Sequence, residues 1–182
     1  MSKKALLLSI FISHSVLAAQ MGDFIKDHYD NGGSETQVSK VLTPTIVVGN
    51  ELLFMNNQRL DDVKNITQAV INKTDRYKWL CVTSKEGVSY GFISDNKMDK
   101  DDITAIALLK GDAGCSLYNG DINVSINNVP LITATPDTLT RVFGKTATAF
   151  DDETAEGTFV QANAVQYFIS EHGVLLSKVT PE

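Results

Sequence analysis

Histidine and cysteine are scarce in this chain, and each scarcity removes a class of chemistry. Only three histidines occur in 182 residues, His14, His28 and His172. The two cysteines, Cys81 and Cys115, form no Cys-x-x-Cys pair and have no histidines beside them, which excludes a dithiol redox motif and a Cys/His zinc site. No His-Glu-x-x-His, Gly-x-Ser-x-Gly, phosphate-loop or dinucleotide fingerprint is present. No apolar run approaches the ~20 residues that a membrane-spanning helix requires. Basic clusters interleaved with aromatics are also missing. With 16 basic against 22 acidic side chains the chain carries a net charge of −6, and such a surface repels phosphate backbones, so nucleic acid is not an expected partner.

What is present begins with a leader pattern. Lys3-Lys4, the apolar stretch from Ala5 to Ile12, and Ala18-Ala19 before Gln20 match a cleavable export signal, with cleavage after Ala18 or Ala19. A lipoprotein signal would place cysteine where Gln20 stands, so the expected mature chain is unlipidated and periplasmic or secreted, with no membrane span once residues 1–19 are removed. Losing Lys3 and Lys4 leaves 14 basic against 22 acidic residues, a net charge of −8. That charge favours a basic protein partner by steering, and it also serves solubility. In an oxidising compartment Cys81 and Cys115 are expected to pair, closing a loop of about 35 residues worth roughly 3–4 kcal/mol.

Two tandem copies of one pattern organise the rest, somewhat fewer than about eighty residues apart. The first opens with Thr45 to Val48, a Gly49-Asn50 turn and Glu51 to Phe54. The second opens with Asn123 to Ile126, an Asn127-Asn128 turn and Val129 to Ile132. Both read as hairpins, because Gly and Asn tolerate the positive φ of two-residue turns. A short helix follows each: one capped by Asn57 with Leu60, Val63, Ile66, Val70 and Ile71 on its apolar side, the other started by Thr135-Pro136-Asp137 and stopped by Gly144. Strands through 78–82, 88–94 and 103–109 close the first copy, and 157–160, 164–170 and 174–179 close the second. The expected fold is α+β: two helix-plus-antiparallel-sheet repeats, each of a hairpin, a helix and three strands. Residues 44–118 form one unit, 119–182 the other, and 20–43 a loose polar arm in which Phe24-Ile25 could dock a short helix.

The segment Thr135-Pro-Asp-Thr-Leu-Thr-Arg-Val-Phe-Gly144, followed by Tyr167-Phe-Ile-Ser170 and Gly173-Val-Leu-Leu-Ser-Lys-Val179, resembles tandem-repeat envelope proteins of the β-lactamase-inhibitor-protein type. It also looks like the small lipoprotein of the β-barrel assembly machinery. This chain departs from both in opening each unit with a hairpin and in lacking a lipidated cysteine. The resemblance implies a role class, an envelope or secreted module that holds another protein on a sheet surface.

Candidate functional residues are few. His28 in the polar arm and His172 in a Glu-His-Gly turn both read as solvated rather than catalytic. The run from Asp95 to Asp102 fails as a calcium loop, because Lys97, Lys100 and Ile106 stand where an oxygen ligand, a glycine and a glutamate belong. No metal or cofactor is therefore expected. Asp99, Asp101 and Asp102 in the first copy, and Asp151, Asp152, Glu153 and Glu156 in the second, form acidic loops that would suit a basic partner or serve as solvated connectors. Trp79, Tyr90 and Tyr167 join them as candidate anchors if one sheet face is open, since Trp and Tyr anchor interfaces. Asn65, Asn72 and Asn123 head glycosylation acceptor patterns whose meaning depends on the host. The expected function is a non-enzymatic inhibitor or immunity protein that blocks an envelope-acting toxin or enzyme. The alternatives are an accessory factor of envelope assembly and, from a different class, a small hydrolase using a carboxylate pair such as Asp99 or Asp101 with an acid of the second copy.

Overall fold

The computed structural model describes residues 20–29, 44–55, 57–96, 100–153, 156–162 and 165–178. The leader expected at 1–19 and the segment 30–43 lie outside them. Helix α1 (Met21–His28) carries Met21, Phe24 and Ile25 on one stripe, with Asp23 in its first turn and Lys26 in its last, where each complements the helix dipole. All three apolar side chains are buried, so over 20–29 the chain forms the short docked helix that Phe24-Ile25 permits and not a loose arm.

Strands β1 (Thr45–Val48) and β2 (Glu51–Leu53) pair through a turn in which Gly49 takes φ 61°. Helix α2 (Leu60–Thr67) starts three residues beyond the expected cap at Asn57. Arg59 holds the N-cap position, and its backbone N–H donates to the Asp62 carboxylate at 2.9 Å. The helix ends at Gln68 in the left-handed region, so Val70 falls past its end and is exposed. Then come β3 (Asn72–Lys73), β4 (Tyr77–Ser84), β5 (Val88–Asp95), β6 (Ala105–Lys110) and β7 (Ser116–Tyr118). A second hairpin, β8 (Ile122–Ile126) with β9 (Val129–Pro130), turns at Asn127 and Asn128, both at positive φ as a type I′ turn requires. Helix α3 (Pro136–Phe143) is capped by the Thr135 hydroxyl, which accepts the Thr138 N–H at 3.2 Å, and it stops at Gly144. The chain continues through β10 (Ala147–Asp152), β11 (Gly157–Ala162), β12 (Val165–Ile169) and β13 (Gly173–Lys178).

The architecture is α+β. The hairpins form a small sheet in the order β2-β1-β8-β9, and the remaining strands form a large sheet in the order β10-β11-β12-β13-β6-β5-β4-β3, with β7 parallel to β4. Strand alternation splits the core between the two faces of the large sheet. Leu80, Tyr90, Phe92, Ile106, Tyr167 and Leu176 point toward α2, α3 and the small sheet. Cys81, Ile93, Ala105, Ala107, Phe168 and Leu175 point toward α1. No helix among the described residues is long and apolar enough to cross a membrane.

Candidate partner-binding surface

One side of the large sheet is fastened shut. Along the outer side of β4, β3 pairs with Lys78 and Trp79, and β7 pairs with Val82, Thr83 and Ser84. Cys81 of β4 is disulfide-bonded to Cys115, which immediately precedes β7, with their Cα atoms 5.1 Å apart. The bond therefore holds the strand that covers this edge, and it is consistent with an extracellular or periplasmic location.

The first acidic cluster is part of the framework. Asp101 accepts two hydrogen bonds from Lys78 Nζ, at 2.6 and 2.8 Å. Its carbonyl accepts the Leu60 N–H, Asp102 bridges to Arg59, and Ile103 N–H donates to the Gln58 carbonyl. The connector between β5 and β6 thus clamps the start of α2, and both aspartates are half-buried. Asp99 lies outside the described residues.

The face beneath α1 is closed by a trough of small side chains. Gly91 of β5 lies opposite Ala107 of β6, and Ile93 opposite Ala105. A Cβ added at Gly91 would meet Met21 Sδ at 2.8 Å and Ile25 Cδ1 at 3.3 Å, so glycine is what lets the helix approach. Trp79 is half-buried against this cluster, its ring 3.1 Å from where a Cβ on Gly22 would stand. The backbone N–H of Met21 donates to the Ala113 carbonyl at 3.1 Å. Both faces of the sheet are covered, which corrects the placement of two aromatic anchors. Tyr90 is 4 % exposed and Tyr167 fully buried, both on the α2 and α3 face. The Tyr90 hydroxyl donates to the Ile122 carbonyl at 3.1 Å, and burial, with a smaller contribution from Glu86, pushes its pKa up to about 12. Burial likewise raises the Tyr167 phenol, which packs against Phe143. Strand alternation alone does not say which face carries a cover, and these side chains went to the thicker one.

The histidines separate. His172 is exposed and lies 3.4 Å from Glu171. His28, expected in solvent, sits between Phe24 and Phe168 with ring centroids 4.7 and 4.3 Å away. Burial holds its pKa below the usual 6.5; Asp27 opposes that shift and His172 adds to it. A recess of about 220 Å³ at the start of α3 is lined by Lys110, Thr135, Ile169, Ser170 and Gly173, among others, with Lys110 as its charged member.

The opposite end of the large sheet is different in character. Strand β10, unread in the sequence because Thr146-Ala-Thr-Ala149 with a lone Phe150 before the acids looks like a polar connector, forms that edge in unbroken register with β11 from Ala147↔Ala162 to Asp152↔Gly157. Phe150, 45 % exposed, stacks on Phe159 at 5.2 Å, and Phe159 meets Phe168 at 5.0 Å, so a row of rings runs from His28 under α1 to the edge. Asp151 is exposed and accepts a hydrogen bond from the Thr158 hydroxyl at 2.8 Å. Asp152 ends the strand, and Glu153 and Glu156 follow it, both exposed. Of the two acidic clusters, this one is presented outward. No family model matches the chain, and neither a curated protein nor a solved structure does.

Proposed function

We propose that this chain is an exported protein-binding module, an inhibitor or immunity protein that neutralises an envelope-acting toxin or enzyme by covering it. The mechanism is steric. The observation that carries this reading is the gathering of exposed Phe150, Asp151, Glu153 and Glu156 at one edge of a sheet covered on both faces and fastened at its other edge. Recognition elements on a rigid frame are what a blocking protein requires, because little ordering is needed at binding. Export is supported by the leader pattern and by the disulfide.

We further infer that residues 44–118 and 119–182 are two copies of one unit. The supporting observation is the strand order, which keeps its form when the halves are exchanged. In the large sheet β10-β11-β12-β13 meets β6-β5-β4-β3, and in the small sheet β2-β1 meets β8-β9. That scaffold is also the one implied by the resemblance to repeats of the β-lactamase-inhibitor-protein type.

The test is deletion in the native host. Normal growth and an intact envelope in lone culture, with loss of survival when toxin-delivering competitors are added, is the expected result. An outer-membrane defect in lone culture would assign the protein to envelope assembly instead.

A further inference from the structure

We propose that the outer side of β10 is the docking strand: an extended segment of a partner protein, alternating apolar with basic residues, adds to the large sheet there. The proposal rests on the binding-module reading above and names the surface and the chemistry it takes.

The first argument is the contrast between edges. Proteins blunt exposed edges with short strands, proline, lysine, bulges or a covering segment. Among the described residues the other edges carry such devices: β2 spans three residues, β9 spans two and ends in Pro130, and beyond β4 stand β3, two residues with Lys73, and the disulfide-held β7 of three. β10 runs for six residues without proline, lysine or bulge, and among the described residues no strand pairs with its outer side. Alternate residues of such a strand direct N–H and C=O groups outward, a template for strand addition.

The second argument concerns the partner's side chains. Phe150 ends the ring row on the α1 face, so an apolar residue beside it on an added strand extends that row and removes the remaining exposed ring from water. Neighbouring residues point to opposite faces, which puts Asp151 on the other side of the strand. A lysine or arginine next in the partner sequence meets that carboxylate, with Glu153 and Glu156 close by in the chain. The same charges disfavour a second copy of this acidic chain as the occupant.

The experiment uses the full mature protein and an end-capped decapeptide of alternating lysine and valine, with a glutamate–valine decapeptide as control. Binding is read by fluorescence anisotropy, and the site by amide hydrogen exchange. The lysine–valine peptide is expected to bind at least tenfold more tightly than the control and to slow exchange at least tenfold within 147–152 while leaving β7 unchanged. Phe150→Lys and the pair Asp151→Lys with Glu153→Lys are each expected to weaken binding at least tenfold, with melting temperatures confirming that the variants fold. Unchanged exchange in β10, equal binding of both peptides, or a wild-type dimer that Phe150→Lys converts to monomer would overturn the proposal. None of these bears on survival against competitors, so its failure and that of the functional reading are separable.

Discussion

Reduction of the Cys81–Cys115 bond is expected to lower the melting temperature by about 8–16 °C. The two cysteines stand 34 positions apart, and the loop they close contains all of β5 and β6. Releasing a loop of that length restores about 4 kcal/mol of conformational freedom to the unfolded chain. In folded bodies of this size each kcal/mol moves the midpoint by about 2–4 °C. Because β4, β5 and β6 pair as consecutive antiparallel neighbours independently of the bond, their contacts survive reduction. The local loss falls on β7, which among the described residues pairs only in parallel with Val82, Thr83 and Ser84. Thermal melts with and without reductant supply the first number, and amide exchange supplies the second: protection at 116–118 falls in the reduced protein well before that of β5. A shift below about 3 °C would refute the loop-length reasoning, and unchanged protection at β7 would refute the claim that the bond holds this edge.

Three further outcomes follow from the packing. Gly91→Val places atoms where Met21 Sδ and Ile25 Cδ1 now sit, so α1 must shift at a cost of about 1–3 kcal/mol, read as a change in Trp79 emission and faster exchange across 22–28; an unaltered Trp79 signal counts against it. Tyr90→Phe removes the buried bond to the Ile122 carbonyl and is expected to cost about 1–2 kcal/mol in denaturant titrations, with no measurable cost meaning that the bond between the sheets is unimportant. Burial lowers the His28 pKa, so the unfolded chain binds more protons below pH 6.5; stability is full above that pH and declines as pH falls through it, and His28→Phe should flatten the decline in melts from pH 7.5 to 5.

Much of the architecture was legible where local chemistry decides it. The turns at Gly49 and at Asn127-Asn128, the Thr135-Pro136 start and the Gly144 stop all act through backbone preferences of one or two residues, and each stands where the sequence places it. The strands with alternating apolar residues were equally plain. Elements defined by distant neighbours were not: β3 and β7 exist because β4 offers them an edge, and β10 because β11 does. The docking of α1 had a signal in Gly91, Ala105 and Ala107, a line of small residues on one face of two adjacent strands that otherwise carry bulky ones. In the candidate site, Tyr90 and Tyr167 were misplaced because alternation gives sides and not covers. Asp101 was misplaced because its lysine partner is 23 positions away. The acids from Asp151 onward were identified, but the strand and the phenylalanine that give them a context were not.

Sealing of the β4 flank has a consequence for stoichiometry. A sheet extensible at both ends adds copies without limit and grows into a polymer, as any head-to-tail contact does when its symmetry fails to close. Here β3, β7 and a covalent bond stopper one end. Strand addition at β10, as proposed, meets at the opposite end the two-residue β3 and the three-residue β7, which offer few pairings for further growth.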